Sequence, residues 1–324
     1  MKMQQLDEVL VIGGDRVRRL LTYDVCIPLM RDAMRALSAG ETLQLLRTAI
    51  VLGQGRALGI MPGALSSTRY FGAKLVSVFV DQATGLSRHL GVVALFEPEH
   101  GSLVCFADAE EVTLIRTAAA SAVATEALSR PESSRLAVLG SGRQAVAHAV
   151  ALSQVRRLEK IVVWGRTRDR AESAAERIAD LCALDVSAAD DVATAVADAD
   201  LICTTTSAPN PILLGNWVRP GTHINLVGSS GPSTAEADND LVCRASFFVD
   251  STQSALAQAG EFLRTKATGR IRDDHIRAEI GSVLLGRHPG RCEADEITIY
   301  KSLGHAAQDL KATAYLYERC VEKN

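Results

Sequence analysis

A glycine-rich turn separates a short apolar strand from a helix near the middle of the chain. The segment reads Leu136-Ala-Val-Leu-Gly140-Ser-Gly142-Arg-Gln-Ala145, a G-x-G-x-x-A pattern directly after a strand predicted over residues 135–139. Gly140 permits the tight turn, Gly142 lets the backbone approach a pyrophosphate, and Ala145 lets the helix pack closely on the strand. The first N–H groups of the helix would then face the phosphates. In this context the pattern predicts a dinucleotide-binding Rossmann fold, whereas alone it would also fit a tight turn in an unrelated α/β domain.

The order of strands and helices changes along the chain. Before residue 116, strands predicted over 48–61, 72–81, 90–96 and 103–107 follow one another, which favours an antiparallel or mixed sheet. From residue 135 onward strands and helices alternate, which favours a parallel sheet with helices on both faces. Long helices are also predicted over 20–39, 110–129 and 302–322. The predicted fold class is therefore α/β, with a Rossmann domain and a second, mixed α/β domain.

The end of the second Rossmann strand bears on the choice of cofactor. Enzymes that use NAD usually carry Asp or Glu at this point, where the carboxylate binds the ribose 2′-hydroxyl. This chain instead reads Trp164-Gly-Arg166-Thr167-Arg168. A guanidinium group binds phosphate through two hydrogen bonds, and a threonine hydroxyl can add a third, so the segment suits a 2′-phosphate. NADP(H) is favoured and NAD(H) remains possible, the alternative being that both arginines are solvated loop residues.

Three cationic residues lie in or beside apolar segments. Arg47 precedes a predicted strand, Lys74 lies inside one, and Arg116 lies in a helix beside leucine, isoleucine and a run of alanines. Each could be salt-bridged, or could extend its charged end to solvent. Lys74 fits that explanation least well, because a lysine within an apolar strand needs an anionic partner. A small carboxylate substrate would supply one.

Composition argues against several classes of protein. A net charge of −3 and an aromatic content of 4% do not suit a nucleic-acid or anionic-membrane partner. No stretch approaches the roughly 20 apolar residues that span a bilayer. The first ten residues lack a signal-peptide pattern, so a cytoplasmic location is expected. The cysteines are scattered without a C-x-x-C pair and the histidines show no metal-ligand spacing, so we expect free thiols and no metal.

Segments along nearly the whole chain resemble the ornithine cyclodeaminase/mu-crystallin family. The Arg-Thr-Ala-Ala and Gly-x-Gly-x-Gln-Ala segments are fairly specific in combination. In chain order, the matching segments are Met61-Pro-Gly63, Lys74-Leu-Val76, Ala94-Leu-Phe-Glu-Pro98, Arg116-Thr-Ala-Ala-Ala-Ser-Ala-Val-Ala-Thr125, the Gly140 loop, Pro220-Gly-Thr-His-Ile-Asn-Leu-Val-Gly228 and Tyr300-Lys-Ser-Leu-Gly304.

The resemblance implies a domain organisation and a substrate site. Residues 116–304 would form the NAD(P)-binding Rossmann domain. Residues 1–115 with 305–324 would form a substrate-binding and dimerisation domain, and the protein would be a homodimer. The substrate would lie between the domains, over the nicotinamide, with its carboxylate held by Arg47, Lys74 and Arg116. His89 matches a pocket histidine of mu-crystallin-like members. Taken with the pattern of the glycine loop, the predicted cofactor-binding residues are Gly140, Ser141, Gly142, Arg143, Gln144, Ala145, Arg166, Thr167, Arg168, Thr204, Val227 and Lys301.

One departure from the family pattern indicates which activity to expect. Where cyclodeaminases and alanine dehydrogenases of the family carry an aspartate, this chain reads Ser230, as mu-crystallin and its ketimine-reducing relatives do. A serine hydroxyl without a partner is a poor base near neutral pH. A protonated cyclic ketimine, however, is already electrophilic and needs only carboxylate anchoring, a hydride and one proton relay. Ser230 could hydrogen-bond the imine nitrogen, or it could merely cap a loop.

The expected activity is therefore reduction of a cyclic ketimine carboxylate with NAD(P)H. The product would be L-proline from Δ1-pyrroline-2-carboxylate, L-pipecolate from Δ1-piperideine-2-carboxylate, or both, with Lys74 and Ser230 as catalytic residues. Other activities of the same family remain open: an alanine or opine-type dehydrogenase, or an ornithine cyclodeaminase. An NADPH-dependent binding protein for a small carboxylate, like mu-crystallin, is the alternative of another class.

Overall fold

The structure, a computed structural model, describes residues 9–66, 70–80 and 87–322, with the side chains of residues 80 and 87–89 excluded. Contacts between Cα atoms divide the chain into two compact units. Unit 1 comprises Met1–Arg116 with Gly304–Asn324, and unit 2 comprises Thr117–Leu303. The substrate-binding and dimerisation roles expected of the first unit, and the cofactor role of the second, stay predictions at this point.

The described residues form strands in both units. They are β1 (Leu10–Ile12), β2 (Thr42–Gln44), β3 (Thr48–Gly53), β4 (Arg56–Leu65), β5 (Phe71–Val80), β6 (Ser87–Phe96), β7 (Leu103–Asp108), β8 (Arg135–Leu139), β9 (Lys160–Trp164), β10 (Asp185–Ala189), β11 (Leu201–Thr204), β12 (His223–Leu226), β13 (Ser246–Val249), β14 (Ile276–Glu279) and β15 (Thr298–Lys301).

The described residues also form α-helices, and short 3₁₀ helices lie at Gly215–Trp217 and Asp273–His275. The α-helices are α1 (Gly14–Leu20), α2 (Tyr23–Ser38), α3 (Ala109–Leu128), α4 (Arg143–Ser153), α5 (Arg168–Cys182), α6 (Val192–Val196), α7 (Asn239–Arg244), α8 (Thr252–Gln258), α9 (Gly260–Ala267), α10 (Ile280–Leu284) and α11 (Ala306–Val321).

Unit 1 contains a mixed sheet that is covered by helices on one face. The strand order is β1-β7-β6-β5-β4-β2, and β3 pairs with β4. The β1–β7 pair is parallel and the other pairs are antiparallel. Helix α11 packs against β4, β5, β6 and α2. Because side chains alternate along a strand, Met61, Lys74 and Val93, which lie opposite one another, share the buried face.

The other face of this sheet is apolar and exposed. We call it the outer sheet face and define it by six residues. They are Leu43, Ile50, Phe71, Leu75, Phe79 and Leu90. The register places Ile50, Leu58, Ser77 and Leu90 in one row across four strands. Several large apolar side chains exposed on one sheet face are typical of a surface that is covered in an assembly.

Unit 2 contains a wholly parallel sheet among the described residues. Its strand order is β10-β9-β8-β11-β12-β15-β13-β14. The chain runs from β8 outward to β10 and then returns to β11 on the other side of β8, which is the strand order of a Rossmann fold. Buried aliphatic and aromatic side chains fill the interior, including Leu139, Ile202, Leu226, Phe247 and Phe262. The α/β fold class predicted from the sequence is confirmed.

Two predicted elements differ from those observed. The single strand predicted over 48–61 is a hairpin of β3 and β4, which reverses at Gly53-Gln54-Gly55. All three of these residues have positive φ angles of 53–79°. The apolar runs on both sides of Gly53-Gln54-Gly55 predict one strand only when the turn signal of the two glycines is passed over. The helix predicted over 20–39 is observed as α2, which runs from Tyr23 to Ser38, and the short helix α1 before it was not predicted.

Within the described residues, no helix is both long enough and apolar enough to cross a membrane. The same residues hold no group of three or more His, Cys, Asp or Glu placed to bind a metal ion.

Candidate active site

The two buried cations predicted from the sequence meet at a single carboxylate in unit 1. Lys74 lies on β5 and places its Nζ 2.8 Å from Oδ2 of Asp309. Arg116 lies on α3 and places its Nε 3.0 Å from Oδ1 of the same residue. The exposed fractions of Lys74, Arg116 and Asp309 are 5%, 4% and 0%. The carboxylate therefore bridges the two cations within the protein interior.

Local structure explains why these groups meet. Helix α3 starts after Asp108, whose carboxylate accepts the N–H of Glu111 at 2.9 Å and so caps the helix. Arg116 then lies on the second turn of α3. Helix α11 starts after His305, which forms a reciprocal capping pair with Gln308. Asp309 consequently lies in the first turn of α11, where the positive end of the helix dipole also favours a carboxylate.

Gln308 and Gly304 also contact the guanidinium group of Arg116. Its Nη1 donates to Oε1 of Gln308 at 3.0 Å. Gly304 lies directly beneath it with a φ of 78°, and a Cβ atom at this position would come within 2.8 Å of Nη1. Any other residue at position 304 would thus meet both backbone strain and a steric clash. The glycine gives the guanidinium a fixed place beside Asp309.

The charges in this cluster do not cancel. Burial lowers the pKa of Lys74 to about 8, and the nearby Arg116 and Arg47 add to this effect while Asp309 opposes it. Although burial alone would raise the pKa of Asp309, Arg116 and Lys74 hold it below its ordinary value. Arg47 is half-buried in the loop between β2 and β3. Three cations beside one carboxylate leave a net positive site that suits a small carboxylate anion.

Asp309 was not identified from the sequence. The sequence argument required an anionic partner for Lys74 and assigned that role to a substrate. The structure supplies a partner from the protein itself, although it lies 193 residues from Arg116 along the chain. A single aspartate in the alanine-rich first turns of α11 was the available signal. His89 lies on β6 opposite Val78, and its side chain is outside what the structure describes.

In unit 2 the glycine-rich loop has the geometry that a pyrophosphate requires. Gly140 has a φ of 136°, and a Cβ atom there would lie 2.4 Å from Oγ1 of Thr205. Gly142 has open space where its Cβ atom would be. No side chain among the described residues caps α4 at Gly142. The open cradle and the uncapped helix start fit a dinucleotide bound through its phosphates.

The residues after β9 differ in how available they are to bind a 2′-phosphate. Arg166 and Thr167 are exposed. Arg168 is exposed too, but its Nε lies 2.6 Å from Glu172 and its Nη1 lies 2.5 Å from Asp190. A guanidinium group that already binds two carboxylates is a weaker phosphate ligand. Arg166 is therefore the better candidate of the two arginines.

The remaining predicted residues lie near the carboxyl ends of β11, β12 and β15. Thr204 is buried and donates its hydroxyl to Glu236 at 2.6 Å. Val227 is half-buried and Ser230 is exposed. Lys301 is fully buried, and its Nζ bonds the carbonyl of Ser229 and lies 3.0 Å from Glu261. These contacts place Lys301 beneath the loop at 228–230 rather than at the protein surface.

Comparison with known proteins gives the family. A profile described as "Ornithine cyclodeaminase/mu-crystallin family" matches residues 9–324. The ketimine reductase mu-crystallin of Mus musculus is 36% identical, with 92% of this chain and 93% of that protein covered. The Δ1-pyrroline-2-carboxylate reductase of Bacillus cereus is 32% identical, over 97% and 98%. The solved structure of the Thermococcus litoralis Δ1-pyrroline-2-carboxylate reductase with NADH and L-proline has a TM-score of 0.94 at 29% identity, over 97% and 98%. This chain belongs to the ornithine cyclodeaminase/mu-crystallin family.

Proposed function

We propose that this protein reduces a cyclic ketimine carboxylate with NAD(P)H, forming L-proline from Δ1-pyrroline-2-carboxylate, L-pipecolate from Δ1-piperideine-2-carboxylate, or both. The relatives are named as reductases of ketimines and of pyrroline-2-carboxylate, and they support an NAD(P)H-dependent oxidoreductase that acts on a C=N bond. The buried Lys74–Asp309–Arg116 cluster, with its net positive charge, is the observation that supports a substrate with a carboxylate.

The cluster would bind the carboxylate of the substrate. Arg47, Lys74 and Arg116 carry three positive charges and Asp309 carries one negative charge, so a monoanion enters a site with a net charge of about +2. Asp309 and Gln308 fix the direction of the Arg116 guanidinium. A fixed cationic pair can orient the imine carbon for reaction, and such orientation lowers the activation barrier.

Two residues are candidates for moving the proton. Lys74 holds its proton at neutral pH, yet its pKa of about 8 makes it a stronger acid than an ordinary lysine. Ser230 is exposed in the loop that follows β12, where its hydroxyl oxygen can accept a hydrogen bond from the N–H of the protonated imine. Because a serine cannot take up a proton unaided, its role would be to orient the nitrogen or to relay a proton through water.

The bound cofactor supplies the hydride. We propose that the open cradle at Gly140 and Gly142 and the start of α4 hold its pyrophosphate, and that Arg166 and Thr167 bind the 2′-phosphate of NADP(H). The exposed positions of Arg166 and Thr167, with no carboxylate at the end of β9, support NADP(H) over NAD(H).

We also propose that the protein is a homodimer that covers the outer sheet face. A second copy of the chain is favoured because the six residues of the outer sheet face are all aliphatic or aromatic and exposed, and lie on strands of one sheet. Clustered exposed apolar residues mark surfaces that bind another protein.

The proposal is tested by following oxidation of the reduced cofactor with four substrates in parallel. They are Δ1-pyrroline-2-carboxylate, Δ1-piperideine-2-carboxylate, pyruvate with ammonia, and L-ornithine, for which proline formation is measured. Rapid turnover of the cyclic imines alone supports the proposal and ranks the ring sizes. Turnover of pyruvate or ornithine instead would replace it with a dehydrogenase or cyclodeaminase activity. Binding of NADPH without turnover of any substrate would indicate a binding protein.

A further inference from the structure

A buried carboxylate joins the two loops that follow β11 and β12. Glu236 is completely buried. It accepts hydrogen bonds from the hydroxyls of Thr204 and Thr206, at 2.6 and 2.7 Å. It also accepts backbone N–H groups from Thr206 at 2.7 Å, Gly228 at 2.7 Å and Ser229 at 3.2 Å. One side chain therefore binds donors from residues 204–206 and from residues 228–229.

The backbones at Thr206 and Gly228 lie close together, and their N–H groups share Glu236 as acceptor. A Cβ atom on Gly228 would lie 2.0 Å from the carbonyl oxygen of Thr206 and 2.5 Å from Oε1 of Glu236. The N–H groups of Thr206, Gly228 and Ser229 all point at the carboxylate. In the absence of Glu236 these N–H groups, one buried and two half-buried, would face one another without their shared acceptor, which costs free energy.

A buried ion pair, Lys301 with Glu261, also contacts the loop at 228–230. Lys301 on β15 donates its Nζ to the carbonyl oxygen of Ser229 and lies 3.0 Å from Glu261. Glu261 in turn accepts the backbone N–H of Glu236 at 2.9 Å. Lys301 and Glu261 are both completely buried. The chain of contacts therefore runs from Glu236 through Glu261 and Lys301 back to Ser229.

The position of this network in the sheet indicates its purpose. In an open parallel sheet, a ligand binds at the carboxyl ends of the strands where the strand order reverses, which here is between β8 and β11. The glycine loop follows β8, and the loops joined by Glu236 follow the next two strands. Ser230 comes directly after the last residue that Glu236 binds.

We infer that Glu236 is a positioning residue that fixes the loops at 204–206 and 228–230 to receive the nicotinamide half of the cofactor and to place Ser230, with Lys301 and Glu261 supporting it from beneath. The placing of Ser230 rests on the proposed function. The effect of Glu236 on cofactor binding does not depend on which substrate is reduced. It assigns Lys301 an indirect effect on the cofactor in place of a direct contact.

Glu236→Gln tests the inference, because a carboxamide keeps the size of the side chain but offers an NH₂ group where N–H donors converge. The measurement is calorimetric affinity for NADPH or NADH, whichever the wild type binds more tightly, and for the matching 2′-phospho-ADP-ribose or ADP-ribose, which lack nicotinamide. We expect about a tenfold loss of affinity for the complete cofactor, the effect of one charged hydrogen bond. The fragment should bind within about twofold of wild type, because the phosphate cradle is untouched.

Two further variants keep the test decisive. Thr206→Val keeps the Glu236 carboxylate but removes the hydroxyl that donates to it and that accepts the N–H of Ala208, and it should give the same split with a loss of about threefold. Asp238→Asn is the control, because Asp238 accepts the N–H of Leu241 in α7 and that of Gly215 in the first 3₁₀ helix, and its bonds involve neither loop that Glu236 joins. Its affinities should equal those of wild type.

An equal loss for cofactor and fragment, or no loss for either, overturns the positioning role. The proposed function fails separately, if wild type binds the cofactor but reduces no imine. In that case the split between cofactor and fragment still decides the role of Glu236.

Discussion

The carboxylate of Asp309 lies 2.8 Å from Nζ of Lys74, so the first turn of α11 supplies the counter-ion for a cation on the central strand β5. The same carboxylate also binds Arg116. A lysine and an arginine with almost no exposure can remain charged side by side because one anion lies between them. The cluster is thus a stable part of unit 1 that stays electropositive, and it does not depend on a ligand to hold it together.

Asp309→Asn should destabilise the protein by roughly 3–5 kcal/mol, because two buried cations lose their only charged partner in the described cluster. The free energy of unfolding, measured by urea titration, tests this. The control is Glu322→Gln, which removes an exposed carboxylate that pairs with Arg319 just beyond the same helix, and should cost under about 1 kcal/mol. Equal losses for the two variants would show that the buried bridge contributes nothing beyond a surface pair.

Carboxylate binding should weaken as the pH rises through about 8. Lys74 is cationic below its pKa of about 8, so higher pH removes a positive charge from the clamp. Pyrrole-2-carboxylate is a suitable probe, because its ring nitrogen does not titrate in this range and it cannot accept a hydride. Above pH 8 its inhibition constant should rise by up to about tenfold per pH unit. Lys74→Arg should bind it less tightly but without this dependence. A flat profile for the wild type would remove Lys74 from the clamp.

Arg166→Asp should lower the preference for NADPH over NADH by about ten- to a hundredfold, because a phosphate contact is replaced by repulsion. The ratio of kcat/KM values for the two cofactors measures this. Arg168→Ala is the matched comparison, and it should change the ratio much less, since the guanidinium of Arg168 is bound by Glu172 and Asp190. If Arg168→Ala had the larger effect, the assignment of the phosphate site would be reversed.

Leu90→Asp should convert a dimer into a monomer, because it places a charge within the outer sheet face. Sedimentation velocity gives the molecular mass directly. Leu181→Asp is the control, since Leu181 is as exposed, at 63% against 52% for Leu90, but lies on α5 in unit 2. A wild type that sediments as a monomer, or a Leu90→Asp variant that remains a dimer, would exclude this face as the interface.

The features that the sequence predicted well are those encoded locally. The Gly140 loop combines a strand, a turn and a helix within about ten residues, so its pattern and its φ angles can be inferred from neighbouring positions alone. The anionic partner that Lys74 requires could likewise be inferred from one strand. The identity of that partner could not, because Asp309 meets Lys74 only through tertiary packing.

The same limit applies to the acidic network of unit 2. Glu236 and Glu261 carry no pattern that marks them as buried, and a glutamate is ordinarily exposed. Strand β15 was also missed: Thr298-Ile-Tyr favours a strand, but the segment is only four residues long and ends in a lysine whose partners come from two distant segments. The site is thus predictable where one segment carries the signal, and unpredictable where charges from several segments compensate one another.

The placement of Asp309 on α11 has a consequence for the order in which the protein is made. Residues 1–116 of unit 1 leave the ribosome before unit 2, but the helix that carries Asp309, the counter-ion of Lys74 and Arg116, leaves after it. Until then the first part of unit 1 carries an uncompensated pair of cations and an uncovered inner sheet face. Unit 2 has all of its strands in one continuous stretch and can fold first, so the site in unit 1 is completed only when the last helix has been synthesised.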